Sequence, residues 1–153
     1  MRALILILAA ACATSGAGSY GSVTFKSAAN YAARPVTFSV GKGHLSGSDL
    51  DVWLDGNCIR GAWGRVPVDF CRDDKDGQPV QHWSGSSGVF TVTPAPDHVS
   101  VTGYWNLDTG RTVDMTQEVR IEQGPQWVEL RKNPALLAVA ANAADLQAAH
   151  LSR

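Results

Sequence analysis

The chain has 153 residues, 44% hydrophobic and 18% charged, which suits one ordinary globular domain with short extras and leaves too little for a second independent core. Thirteen Lys and Arg against fourteen Asp and Glu give a net charge of -1, with both signs scattered along the sequence. Nucleic-acid binding normally needs a clustered basic face, so no nucleic acid is expected as a partner.

The first segment, "MRALILILAAACATSGAGS", has a positive charge at Arg2, an apolar run from Ala3 to Ala11 and then small or polar residues. These are the three regions of an export signal. The run is too short for a transmembrane helix, which needs about 20 residues to cross roughly 30 Å of hydrocarbon. Within it, "LAAAC" at Leu8 to Cys12 resembles the bacterial lipobox, although that family usually has Leu where Ala9 stands. The resemblance implies a signal peptide over 1–11, acylation of Cys12, and a Ser- and Gly-rich flexible tether within 12–22. It implies a membrane as partner through the lipid anchor. Ala13 after the cysteine, rather than Asp, looks like an outer-membrane address. Cleavage after Ala13 or Ala17, giving a soluble secreted or periplasmic protein, is the competing reading. Cysteine parity favours acylation, because pairing two of three cysteines otherwise leaves a free thiol in an exported protein.

The β domain is expected over 23–123, in a glycine-rich stretch full of Val, Thr, Phe and Trp. Its first strand is Pro35 to Val40. In "DLDVWLDGN", Leu50, Val52 and Leu54 hold the apolar phase and Asp51, Trp53 and Asp55 the opposite one, before a turn at Asp55-Gly56-Asn57. Next comes "GNCIRGAWGRVPVDFCRDD". A two-residue turn at Gly64-Arg65 suits a type II′ hairpin, which wants Gly first. Pairing then runs from Trp63 with Val66 to Cys58 with Cys71. Ladder pairs alternate from the turn, so Ala62 with Pro67, Arg60 with Asp69 and Cys58 with Cys71 are non-hydrogen-bonded. Pro67 sits where no donor is needed, the charges pair across strands, and the cysteines approach closely enough for a disulfide. Ile59, Trp63, Val66, Val68 and Phe70 form the core face.

A short strand at Val80 to Trp83 follows, then a hairpin around Pro94 to Asp97 pairing Val92 with Val99 and Phe90 with Val101. A turn at Asp108-Thr109-Gly110 leads into a strand whose apolar phase is Val113, Met115, Val119 and Ile121, with Gln117 as its polar member. The expected fold is therefore all-β with a C-terminal helix: an antiparallel meander of about eight strands, forming a small up-and-down barrel or tight sandwich, with the barrel preferred. The segment 124–153 changes period. Pro125 opens a helix, Asn133-Pro134 breaks it, and an alanine-rich helix follows with Leu130, Leu137, Ala141, Ala144, Ala148 and Leu151 as a narrow stripe over the barrel wall or one end.

No metal or cofactor is expected: there is no C-x-x-C, and the four histidines are dispersed. "RDDKDGQ" at Arg72 to Gln78 lacks the first and last ligands of a calcium loop. "VGKGH" at Val40 to His44 lacks a phosphate-loop frame, and "SGSSG" at Ser84 to Gly88 is no nucleophile elbow. His44, Ser46, Ser48 and Asp49 are the catalytic grouping to consider for a secreted hydrolase, the weakest reading. Trp53 and Tyr104 fall on the phase opposite the core, where contact with a partner or a prop for Arg60 accounts for a large ring. Trp83 is read as core at the rim. The leading expectation is a non-enzymatic cell-envelope lipoprotein, exported to the outer membrane or periplasm, that touches another envelope protein through Trp53, Arg60, Asp69 and Tyr104. The alternative is a carrier of a small apolar ligand, since a meander followed by a helix resembles the lipocalin layout.

Overall fold

A computed structural model of the chain describes residues 19–26, 34–73, 79–107 and 110–151. The leader and Cys12, the acidic turn 74–78 and the Asp108-Thr109 part of the expected turn lie outside the described residues. Among the described residues eleven strands run in chain order: β1 (Ser19–Phe25), β2 (Val36–Gly41), β3 (His44–Gly47), β4 (Leu50–Asp55), β5 (Cys58–Trp63), β6 (Val66–Arg72), β7 (Gln81–Gly85), β8 (Gly88–Pro94), β9 (His98–Asn106), β10 (Thr112–Asp114) and β11 (Gln117–Arg120). Two helices follow, α1 (Pro125–Lys132) and α2 (Pro134–Leu151).

From β1 to β10 each strand pairs antiparallel with the next in sequence, and β11 skips β10 to pair with β9. The meander is as expected; the barrel is not. Among the described residues β1 pairs with β2 alone, β10 and β11 both pair with β9, and no pairing joins the two ends, so the sheet stays open. Helices take the space that closure would have used. α1 packs against β1 and β2, where Gln126 donates to the Ser22 carbonyl at 3.2 Å. Phe25 meets the edge of Trp127 at 6.4 Å between ring centroids.

α2 is the second correction. In place of a narrow apolar stripe, every residue from Ala135 to Ala144 is buried, and the helix touches β2, β3, β4, β8, β9 and β11. The sheet curls around it, as expected of a helix apolar on all sides. Asn142, the polar residue of this buried run, is satisfied within its own helix by donating to the Ala138 carbonyl at 2.8 Å. The break at Asn133-Pro134 is where the sequence places it, with Pro125 in the first turn of α1 behind Gly124.

Two strands escape the sequence reading. β1 begins at Ser19, inside the segment read as tether, so 19–22 belong to the sheet. β3 is joined to β4 by Ser48-Asp49, both with positive φ (48° and 67°), a conformation normally signalled by Asn-Gly rather than Ser-Asp. The β8–β9 register is also shifted: Val92 pairs with Val101, Phe90 with Gly103 and Pro94 with Val99. The Ala95 N–H reaches the His98 carbonyl at 2.8 Å, so Pro96-Asp97 makes the turn, with Pro in the position that presets its φ. A shift of two residues keeps every side chain on its face, and Phe90, Val92, Val99 and Val101 are all buried. The last two strands share one register with β9, interrupted at Met115-Thr116, where Met115 donates its N–H to Gly103 at 2.9 Å.

Tight curvature needs close strand approach. Gly61 on β5 has φ 149°, and a Cβ there would lie 2.0 Å from the Asp51 carbonyl oxygen, so only glycine lets β4 and β5 come together at this bend.

Candidate functional site

The β5–β6 hairpin has the register read from the sequence, with Cys58 opposite Cys71, Arg60 opposite Asp69, Ala62 opposite Pro67 and Trp63 opposite Val66. Gly64 takes φ 58°. The cysteines form a disulfide with Cα atoms 4.0 Å apart, the close spacing of a non-hydrogen-bonded pair. Ile59, Val68 and Phe70 are buried, while Trp63 is half-buried against Trp105 at 6.1 Å. On the outer face Arg60 reaches Asp55 at 3.0 Å and Asp69 at 3.6 Å. These exposed pairs contribute little stability singly, but they fix the guanidinium direction.

The β4–β5 turn resolves as Gly56-Asn57, since Asp55 pairs with Cys58, and Trp53 therefore lies opposite Arg60. On its other side Trp53 faces His44, whose ring it meets edge-on at 5.7 Å. His44, Trp53, Arg60 and Asp69 thus form one row across four strands of the outer face. Trp53 is 44% exposed and Tyr104 43%. Tyr104 stands apart, across from the equally exposed Val89 on β8 and from Asp114 on β10. Five strand spacings, roughly 24 Å of sheet, separate it from Trp53. The four residues read from the sequence as one surface therefore make a row and a distant second patch. Trp83 is core, 4% exposed and stacked on Phe90 at 6.2 Å.

The grouping at 44–49 is rearranged by the β3–β4 hairpin. His44 Nε2 lies 2.6 Å from an oxygen of Asp51, not of Asp49, and Ser48 and Asp49 form the turn. Ser46 stands opposite Asp51, yet among the described residues no serine hydroxyl bonds to His44. The Ser84–Gly88 stretch is a hairpin turn bracing Asp69: the Ser87 hydroxyl accepts from the Asp69 N–H at 2.7 Å and donates to the Pro67 carbonyl at 3.0 Å. Among the described residues no three His, Cys, Asp or Glu side chains gather where they could hold a metal.

A second feature was not visible in the sequence. At the end of the sheet holding the β4–β5 turn, a cleft of about 160 Å³ is lined by Leu54, Gly56, Asn57, Arg72, Gln81, Trp83, Lys132, Asn133 and Ala135. Its parts come from four separate stretches of chain, so no local motif announces it. Glu129 of α1, buried beside it, accepts from the Gly43 N–H at 3.0 Å and the Asn133 amide at 3.1 Å, locking the β2–β3 turn to the helix junction.

Compared with protein-family models, curated proteins and solved structures, the chain matches none of them. No helix among the described residues is long and apolar enough to cross a membrane.

Proposed function

We propose that this is a non-enzymatic envelope lipoprotein, anchored through Cys12, whose disulfide-stapled β domain contacts another envelope protein. The observation that carries the choice between contact and carriage is the position of α2. Its buried run from Ala135 to Ala144 fills the concave side of the sheet, where a carrier would hold its ligand. The exposed row of His44, Trp53 and Arg60 supports a contact on the convex side, because aromatic and Arg side chains dominate binding energy at protein interfaces. The export-type leader and the lipobox-like "LAAAC" support the anchor, and a disulfide is in keeping with an oxidising compartment.

Two experiments test this. Labelled fatty acid is incorporated into the wild type and lost in Cys12→Ala; equal labelling of both removes the anchor. Pull-down from envelope extract captures a partner with wild type and much less with Trp53→Ala. Unchanged capture clears Trp53 of a binding role.

A further inference from the structure

The cleft beside the α1–α2 junction has the chemistry of an oxyanion site. Arg72 and Lys132 bring two positive charges into its lining, Asn57 and Gln81 bring amide groups, the Asn133 amide is already given to Glu129, and no carboxylate is among the described lining residues. Among the described residues, the acids nearest in sequence to the lining each have a partner: Asp55 takes Arg60, Asp73 accepts from the Ser84 hydroxyl at 3.0 Å, and Glu129 accepts from the Gly43 N–H and the Asn133 amide. Arg72 is already engaged by a neighbour, whereas Lys132 makes no ion pair with any described residue. Lys132 does sit at the C-terminal end of α1, where a cation complements the helix dipole, and that role alone would explain its presence on the helix. It does not explain why Lys132 and Arg72, sixty residues apart, converge on one recess floored by Trp83 and Leu54. Ala135 in the lining also places the first turn of the eighteen-residue α2 at the cleft, adding the positive end of a helix dipole.

We infer that this cleft binds a single phosphate or carboxylate group, with Lys132 as its principal cation. Its volume of about 160 Å³ is several times the roughly 30 Å³ a water molecule occupies, enough for such a group and not for a large apolar ligand. The location points to two sources. Ser19 pairs with Gly41, next to the Lys42-Gly43 turn, and the Gly43 carbonyl accepts from Leu54 of the cleft. The start of β1 and the cleft therefore share one end of the domain, so a lipid headgroup is as accessible there as a free ion. The inference does not need the anchor.

Titration of the ¹⁵N-labelled purified protein with inorganic phosphate, and separately with phosphatidylglycerol or phosphatidylcholine vesicles, tests it. Amide shifts are expected at Asn57, Arg72, Asn133 and Ala135, with affinity reduced about tenfold or more in Lys132→Gln, the loss of one charge-assisted hydrogen bond, and restored in Lys132→Arg. Response to phosphate identifies a free ion; response to phosphatidylglycerol vesicles alone, equally dependent on Lys132, identifies a headgroup. No localised shift with either probe, or equal affinity in Lys132→Gln, overturns the inference. Phosphate binding by a protein whose Cys12→Ala form still takes up label would remove the anchor and leave the cleft standing.

Discussion

Gly61→Ala is the sharpest test of how the sheet bends. The new Cβ would lie 2.0 Å from the Asp51 carbonyl oxygen and 2.8 Å from the Val52 Cα, whereas ordinary contact begins at 3.4 Å. The obstacle is backbone, not a flexible side chain, so β4 and β5 must part by about 1.4 Å at this point, the difference between 3.4 and 2.0 Å. Parting stretches the adjoining ladder hydrogen bonds, worth about 1 kcal/mol each. Holding alanine at φ 149° adds about 1–3 kcal/mol of backbone strain. With two bonds weakened, the sum is about 3–5 kcal/mol, a large part of the 5–15 kcal/mol that typically holds a domain together. Gly64→Ala is the control: its φ is 58°, but a Cβ there meets nothing within 4 Å, so it costs only the left-handed conformation, about 1–2 kcal/mol. Urea unfolding of both variants, followed by far-UV circular dichroism, measures the difference. Equal losses in the two would refute the reading that strand approach at Gly61, rather than its backbone angle, sets the curvature.

Other outcomes follow from particular contacts. Reducing the Cys58–Cys71 bond, which closes a loop of sequence separation 13, should lower stability by about 3 kcal/mol on the chain-entropy model; a change in urea unfolding below about 1 kcal/mol would show that the hairpin is ordered without its staple. Leu137→Ala, at a fully buried position on α2, should cost about 2–5 kcal/mol. Val128→Ala, on the exposed side of α1, should stay within about 0.5 kcal/mol, and similar thermal shifts for the two would contradict the placement of α2 inside the sheet. The hydrogen bond from His98 Nδ1 at 2.7 Å is the main cause holding the Asp97 carboxyl below its ordinary value of 3.8. Because the folded value is depressed, this pair's contribution is present above the ordinary value and disappears as pH falls through the folded one. In His98→Ala the Asp97 titration, read by carboxyl ¹³C shift, should move upward; an unmoved curve would dissociate the two groups.

The sequence by itself determined what is local. Alternation assigned Leu50, Val52, Ile59, Val68 and Phe70 to the core because a strand's side chains have a period of two. The Gly64-Arg65 turn fixed the hairpin register because two-residue turns leave no freedom in pairing. The proline at 134 separated the helices because it has no N–H to continue one. Where turn chemistry was atypical, at Ser48-Asp49, local reading lost β3, and where the turn fell on Pro96-Asp97 rather than one residue earlier, it shifted β8–β9 by two residues. The tertiary structure decided the rest. Whether a meander closes depends on what competes for its interior and edges. Here α2 buries a run from Ala135 to Ala144, apolar but for Asn142, inside the curl while α1 lies against β1, so the sheet wraps a helix instead of pairing with itself. Of the row of His44, Trp53, Arg60 and Asp69, the Arg60–Asp69 pair and Trp53 beside Arg60 were legible in the sequence, while His44 joined it only through the β3–β4 register. The cleft of Arg72 and Lys132 arose from residues with no relation in sequence, brought together because the helix junction packs against the turn end of the sheet.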